Sequence, residues 1–317
     1  MKQPKVIVIL GQTATGKSAL AIQIALRLRS GPSAQKRGGE IISADSRQVY
    51  KGLDIGTGKI TEKEMKGIPH HLIDIVNPKR PANSGGKFTV AEYQKKAIYA
   101  IADIIKRNKV PIICGGTGFY IDAITKGIIF PEVPPNEKLR RTLYSKSAIA
   151  LFEYLKKLDK NRAQDIKNKN EQNNKVRLIR AIEIAKAIGN IPKITQGSPV
   201  YKFIKIGLYL PPDQLKRKIE KRVKKMFQDG LLDEIKKLKK SGISQKRLKE
   251  FGFEYDNPTY EKVVKETIKY AKRQMTWFKK PARPLENSGA GGDKTIQWLD
   301  TSKKIDLGCI LKSFKLL

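Results

Sequence analysis

Short apolar runs alternate with longer amphipathic stretches along the first part of the chain. KVIVIL at 5–10 is a continuous apolar run that ends at Gly11, the pattern of a strand buried on both faces of a sheet. EIIS at 40–43 and VPIIC at 110–114 predict two further strands, and FIKIGLYL at 203–210 predicts one that returns to the same sheet. These runs indicate a central sheet built from distant segments of the chain.

Helical periodicity fills the intervals between these strands. In 17–29, Leu20, Ile24 and Leu28 recur on one stripe, as in an amphipathic helix, and a second helix is predicted at about 90–108. Strand, loop and helix repeated in this order indicate an α/β fold with a parallel sheet. In such folds the functional loops lie beyond the carboxyl ends of the strands.

The character of the chain changes at about residue 131. PEVPP at 131–135 is typical of a linker, and 136–190 is polar, rich in Lys and Asn, and helical in pattern. Beyond it we predict helices at about 212–228 and 231–240 and a last helix at 259–278. A flexible loop at 282–294 and a short strand at 295–300 follow. Segment 30–39, which contains Gly and Ser, predicts a turn.

Composition excludes several classes of protein. With 39% hydrophobic residues the 317-residue chain can bury a large core, and its 30% charged residues argue against a membrane protein. Its two cysteines cannot form a disulfide framework or a Cys-rich zinc site. The first apolar run leads directly into a glycine loop without a cleavage site, which predicts a strand rather than a signal peptide. We expect a cytoplasmic protein that acts as a monomer and does not associate with membranes.

The chain is strongly basic. Its net charge is +35, from 65 Lys+Arg against 30 Asp+Glu, which indicates a polyanionic partner. The alternative explanation is a lysine-rich proteome, because charge runs are often solvated faces. In either case the surface attracts nucleic acid with a steep dependence on salt.

A glycine-rich loop between the first strand and the first helix matches G-x-x-x-x-G-K-[ST] at every required position. Its residues are Gly11, Gln12, Thr13, Ala14, Thr15, Gly16, Lys17 and Ser18. Such a loop lets backbone N–H groups converge on phosphate oxygens, and the helix N-terminus adds its dipole. Lys17 supplies a positive charge and the Ser18 hydroxyl a ligand for Mg²⁺. The alternative is an ordinary glycine turn, and the pattern does not specify ATP.

Other polar residues follow the predicted strands. Asp45 follows the second strand, where its carboxylate can face the phosphate loop or cap the next helix. KGLDIGTGK at 51–59 is typical of a loop around a ligand, and GGTG at 115–118 brings Thr117 to the same edge of the sheet. The histidine pair at 70–71 has no third metal ligand nearby, so packing or hydrogen bonding is the favoured explanation.

Six segments of the chain occur together in one protein family: GQTATGKS, DSRQVYKGLDIGTGK, PHHLIDI, GGTGFYI, VRLIRAIEI and AKRQMTW. In this order and spacing they resemble the tRNA dimethylallyltransferases (tRNA isopentenyltransferases), from about residue 5 to about residue 278. The resemblance implies an α/β fold with a P-loop NTPase-like parallel sheet core flanked by helices. It also implies a helical insertion domain for the anticodon arm at 131–199, with the core formed by 1–130 and 200–317.

The family transfers the dimethylallyl group of dimethylallyl diphosphate to N6 of adenosine 37, beside the anticodon of tRNA. The resemblance implies that Asp45 is the general base for the N6 amine, with Thr117 near this amine and the leaving oxygen. It implies that Arg222 and the phosphate loop bind the diphosphate, with Mg²⁺ on Ser18. The amide of Gln48 would read an edge of the adenine.

The same resemblance implies a set of residues in contact with the anticodon stem-loop of tRNA. They are the 249–254 stretch, Asp45, Ser46, Arg47, Gln48, Thr117, Arg140, Val176, Arg177, Leu178, Ile179, Arg180, Arg273 and Gln274. Without the resemblance, solvated surface residues explain the basic members equally well. KEFGFEYDN at 249–257 departs from the G-Y-[RK] pattern common in the family, and 30–39, 79–87 and 286–292 are longer than usual.

Three other functions compete with this one. A P-loop kinase acting on a small molecule would require a Walker-B aspartate, and no further apolar strand ends in one. A relative that prenylates free adenine nucleotides would not require the helical insertion or the basic second half. An RNA-binding protein without catalysis would leave Lys17, Ser18, Asp45 and Thr117 unexplained.

Overall fold

The computed structural model describes residues 3–30, 38–80, 88–189, 200–279 and 293–313. Most of the predicted turn at 30–39 and of the loop at 282–294 lies outside these residues, as do nearly all of 79–87 and the whole of 286–292. Within the described part of the chain, no helix is long and apolar enough to span a bilayer. The chain divides into two compact units, and among the described residues the second comprises Arg80 and 127–189.

The first unit contains a sheet of six parallel strands in the order β3-β2-β4-β1-β5-β6. The strands are β1 (Lys5–Gly11), β2 (Gly39–Ala44), β3 (His70–His71), β4 (Val110–Gly115), β5 (Lys202–Tyr209) and β6 (Ile296–Asp300). This confirms the predicted parallel sheet and its five predicted strands. Strand β3 was not predicted, because two residues are too few to show a periodicity.

Helices flank the sheet in the first unit and make up the second. In chain order they are α1 (Lys17–Arg29), α2 (Glu62–Met65), α3 (Val90–Lys106), α4 (Gly118–Thr125), α5 (Glu137–Tyr144), α6 (Ala148–Leu158), α7 (Lys160–Asn168), α8 (Lys175–Ile188), α9 (Pro212–Gln228), α10 (Leu231–Lys240), α11 (Gln245–Phe251), α12 (Tyr260–Lys279) and α13 (Leu307–Ser313). The prediction that α12 is the last helix was wrong. Helix α13 is only seven residues long, and it is stabilised by burial of Ile310 and Leu311 rather than by a long apolar stripe.

Strand β1 is apolar throughout because both of its faces are covered. Val6 and Val8 belong to a core shared with α3 and α4 on one face of the sheet. Ile7 and Ile9 belong to a second core, shared with α1 and α13 on the other face. The continuous apolar run in the sequence is therefore the requirement of a central strand.

The second unit has a hydrophobic core of its own, built from α5 to α8. Leu151, Leu155 and Leu178 are fully buried in it. The helical character predicted for 136–190 is confirmed where the chain is described, and residues 127–189 contain no strand.

A buried carboxylate ties the helices of the second unit together. Glu183 of α8 accepts hydrogen bonds from Arg140 Nε at 2.7 Å, from the Asn136 N–H at 2.9 Å and from Arg180 Nη1 at 3.2 Å. Burial opposes ionisation of Glu183, but the bonds from Arg140 and Asn136 outweigh it and hold the pKa below its ordinary value. The charged network is therefore part of the unit's core.

We predict that Glu183→Gln lowers the free energy of unfolding by about 2 kcal/mol, because the partly buried guanidinium groups lose their carboxylate. The pKa of Glu183 is lower in the folded protein than its ordinary value. Its contribution to the free energy of unfolding is therefore fully present above the ordinary carboxyl pKa and is lost as the pH falls through the pKa in the folded protein. Urea unfolding across this range, followed by circular dichroism, measures the effect. The control is Glu153→Gln, which alters an exposed pair with Lys156 at 4.0 Å; equal losses in the two variants would contradict the prediction.

Candidate functional site

The phosphate loop turns sharply between β1 and α1. Ala14 and Gly16 both have positive φ, at 63° and 87°, and α1 begins at Lys17 without a side-chain cap from Gly16. The first N–H groups of α1 are thus free of a capping side chain, which suits an anion. Gln12 and Thr15 are buried, and Thr15 Oγ1 donates to the Gln12 carbonyl at 2.8 Å. These two residues therefore stabilise the loop on its buried side.

Lys17 folds back over the loop that precedes it. Its Nζ donates to the carbonyl of Gln12 at 2.6 Å. Burial lowers the pKa of Lys17 to about 8, and the charge of Arg222 acts in the same direction, whereas Asp45 opposes it. A bound anion would restore the full charge of this lysine, because an adjacent negative charge favours the protonated form.

The loop opens onto a cavity of about 450 Å³, a size typical of sites for small molecules. The cavity brings together residues that are far apart in the chain. Its lining includes Thr13, Ala14, Gly16, Lys17, Ser18, Asp45, Arg47, Gln48, Thr57, Gly58, Gly115, Gly116, Arg222, Glu254, Tyr270 and Gln274. All belong to the first unit.

Asp45 lies just beyond β2 and faces this cavity. Its Oδ1 accepts hydrogen bonds from the N–H groups of Arg47 at 2.8 Å and Gln48 at 3.3 Å. These bonds stabilise a turn at 46–49 rather than a helix, so the carboxylate both supports the turn and borders the cavity. Asp45 therefore does not cap a helix, because a turn follows it.

Arg47 makes an internal ion pair. Its Nη1 lies 2.6 Å from Glu254 Oε2, and its guanidinium lies over the rings of Phe253 at 5.1 Å and Tyr270 at 5.5 Å. Burial raises the pKa of Glu254, while Arg47 acts against that rise. Glu254 was predicted only as part of the RNA-contacting stretch 249–254, and Tyr270 was not predicted at all. An acid between aromatic residues in FGFEY was the available signal for Glu254.

Three further predicted residues lie at or beside the cavity. Arg222 Nη2 donates to the Thr57 carbonyl at 3.2 Å, and burial lowers the pKa of Arg222. Thr117 Oγ1 accepts from the Ser46 N–H at 3.1 Å. Gln48 uses both ends of its amide, since Nε2 donates to the Gly58 carbonyl at 3.3 Å and Oε1 accepts from a serine hydroxyl.

Comparison with known proteins identifies the family. The family model of the IPP transferases matches residues 48–281. The chain belongs to the IPP transferase family. It is therefore a prenyltransferase.

Its relatives are similar to it over most of their length. It is 39% identical over 311 residues to a tRNA dimethylallyltransferase of Anoxybacillus flavithermus, covering 93% of this chain and 90% of the other. It is 40% identical to tRNA dimethylallyltransferase 1 of Porphyromonas gingivalis, covering 96% of each. Among solved structures, it resembles the tRNA isopentenylpyrophosphate transferase of Bacillus halodurans with a TM-score of 0.63 and 33% identity, covering 99% of this chain and 94% of the other. A eukaryotic dimethylallyltransferase acting on tRNA gives a TM-score of 0.72 at 27% identity, covering 94% of this chain and 74% of the other.

The remaining predicted RNA contacts of this IPP transferase differ in exposure. Val176 and Arg177 are exposed, whereas Leu178 and Ile179 are buried in the core of the second unit. The side chains of Leu178 and Ile179 therefore cannot contact RNA without unfolding the unit. Arg140 is paired with Glu183, and Arg180 Nη2 donates to the Val133 carbonyl at 2.7 Å.

Arg273 and Gln274 are adjacent on α12, but they differ in exposure. Arg273 is exposed on α12. Gln274, the next residue, is 6% exposed and bonded within the first unit. Its contact with tRNA stays a prediction, and these internal bonds would have to break for its amide to reach the RNA.

The donor set at the cavity fits a hard cation. The Ser18 hydroxyl and the Asp45 carboxylate both line it, and oxygen ligands together with water suit Mg²⁺. Among the described residues no group of three His, Cys, Asp or Glu could hold a metal by itself. His70 and His71 bond to the Ile68 carbonyl at 2.7 Å and to Glu40 at 2.8 Å, in agreement with the predicted hydrogen-bonding role.

We predict that this IPP transferase takes up protons when it binds inorganic diphosphate near pH 8. Lys17, with a pKa of about 8 in the free protein, is then partly deprotonated, and the bound anion raises its pKa. Affinity should fall as pH rises further, because the neutral amine no longer attracts the anion. Calorimetry in buffers of different ionisation enthalpy measures the uptake, and Lys17→Met provides the comparison. Equal uptake by both proteins would assign the protons to another group.

Proposed function

We propose that this chain transfers the dimethylallyl group of dimethylallyl diphosphate to N6 of adenosine 37 in tRNA. The observation that carries the proposal is a single cavity bordered by the phosphate loop, by Arg222 and by the carboxylate of Asp45. An anion site and a proton acceptor are the two parts that such a transfer requires. The names of the relatives supply the class of donor and acceptor.

The chemistry assigns a role to the carboxylate. The exocyclic amine of adenine is a poor nucleophile, because its lone pair is delocalised into the ring. As the bond from N6 to C1 of the dimethylallyl group forms, Asp45 accepts the proton that N6 must lose. The bond from C1 to the diphosphate oxygen breaks at the same carbon, and its electron pair leaves with the diphosphate. Thr117, whose Oγ1 accepts from the N–H of Ser46 next to Asp45, is placed near the amine and the leaving oxygen by the resemblance to the family.

The departing diphosphate requires positive charge at a fixed position. Lys17, Arg222 and the free N–H groups at the start of α1 supply it inside a cavity where burial strengthens their attraction. Ser18 would hold Mg²⁺ together with water, and the cation would neutralise phosphate charge. The protein contributes preorganised cations rather than a nucleophile.

The acceptor we propose is the anticodon stem-loop of tRNA. A net charge of +35 supports a polyanionic partner, and a base in a loop is extruded more easily than one in a duplex. Gln48 would exchange its internal bonds for an adenine edge. Free adenine nucleotides remain the alternative acceptor, and the test includes one.

A transfer assay tests the function. Labelled dimethylallyl diphosphate and Mg²⁺ are offered with tRNA containing adenosine 37, with the same tRNA carrying guanosine there, and with AMP. We expect label on the first acceptor alone. Label on AMP would favour synthesis of free prenylated nucleotides, and release of phosphate from ATP without transfer would favour a kinase or ATPase.

We predict that Asp45→Asn lowers the transfer rate at least about 100-fold, because an amide cannot accept the N6 proton. The asparagine can still accept the two N–H bonds that Asp45 accepts, so the turn is retained. Single-turnover kinetics and a filter-binding measurement with tRNA separate chemistry from binding. Asp103→Asn, which alters an exposed pair with Arg107 on α3, should retain both. A tRNA affinity that falls as much as the rate would argue against a base.

A further inference from the structure

One buried amide joins two loops of the cavity. Gln274 Oε1 accepts a hydrogen bond from the Thr13 N–H of the phosphate loop at 2.8 Å. Its Nε2 donates to the carbonyl of Gly116, just beyond β4, at 3.0 Å. The two partners fix the orientation of the amide, because one can only donate and the other can only accept.

The phosphate loop needs such support. Thr13 precedes Ala14, whose φ of 63° lies in the left-handed region that a residue with a Cβ rarely adopts. A conformation of this kind persists when its surroundings hold it. Gln12 adds a second tie to the same helix, since its Nε2 donates to the Ala271 carbonyl of α12 at 3.4 Å.

The glycine loop after β4 is shaped around the same amide. A Cβ at Gly116 would lie 2.1 Å from Gln274 Nε2, so the absence of a side chain permits the bond. Both polar atoms of the Gln274 side chain are thus occupied within the first unit, although the residue borders the cavity.

We infer that Gln274 is a positioning residue that holds the phosphate loop in the conformation that binds diphosphate. This inference rests on the proposed function, since it assumes that the loop receives the leaving group. Gln274 acts through Thr13 and Ala14, and the neighbouring Arg273 has no part in holding the loop. The N–H of Thr13 is consequently not among the donors that the loop offers to the anion.

Inorganic diphosphate binding to the full chain tests the inference. Replacing Gln274 by Met removes both hydrogen bonds at similar length, and we expect the affinity for diphosphate to fall about tenfold. With dimethylallyl diphosphate, KM should rise by a similar factor while kcat changes less than about threefold. Gln94→Met is the matched control, because it removes an amide bond of 2.6 Å to the Ala123 carbonyl outside the cavity.

Hydrogen exchange gives a readout that does not depend on activity. The Thr13 amide should exchange faster in Gln274→Met than in the wild type and the control, because its acceptor is lost. In Gln274→Glu the carboxylate still accepts from Thr13 but cannot donate to Gly116. We therefore expect protection of Thr13 to be retained, and any loss of diphosphate affinity in this variant is assigned to the missing Gly116 bond and to the added negative charge.

Several outcomes would overturn the inference. If Gln274→Met left the diphosphate affinity unchanged and weakened tRNA binding, Gln274 would be a contact of the RNA instead. Equal losses of diphosphate affinity, tRNA affinity and melting temperature would indicate a general structural role. A wild-type protein that fails to bind diphosphate would refute the proposed function instead, and Thr13 exchange would still decide whether Gln274 holds the loop.

Discussion

The close pairing of β1, β4 and β2 at their carboxyl ends, where Gly115 lies opposite Leu10 on one side and Ala44 on the other, is the constraint on which the site depends. A Cβ at Gly115 would lie 2.2 Å from the Ala44 carbonyl, and the Thr117 N–H donates to that same carbonyl at 3.1 Å. The loops that follow β1, β2 and β4 therefore start side by side. The phosphate loop, Asp45 and Thr117 become neighbours as a result, although long segments of chain separate them.

Burial of charge gives this edge of the sheet its chemistry. Lys17 and Arg222 are cations whose pKa values burial lowers, so the free protein holds positive charge at a cost that an anionic ligand would offset. Arg47 does not share this role, because its guanidinium already pairs with Glu254 and lies over two aromatic rings. Of the cations that line the cavity, Lys17 and Arg222 are thus available to an anion, whereas Arg47 is paired with Glu254.

The second unit also contains arginines that are paired with carboxylates. Arg140 and Arg180 lie in a helical segment that is basic in sequence, yet both bond to Glu183. Arg177, by contrast, is exposed and paired with Glu171. Net charge attracts a polyanion, but the internal ion pairs decide which guanidinium groups remain accessible to it.

The sequence by itself determined the parallel sheet, the glycine turn at 11–18, the position of Asp45 after β2 and the helical character of the second unit. Each of these depends on local rules: apolar runs for buried strands, a stripe for helices and a glycine pattern for a phosphate turn. The tertiary structure alone decided that α12 turns Gln274 inward next to an exposed Arg273, and that Arg47 pairs with Glu254 far along the chain. It also decided that β3 and α13 form at all. Such features depend on which distant surfaces meet, and neither propensity nor spacing within a segment carries that information.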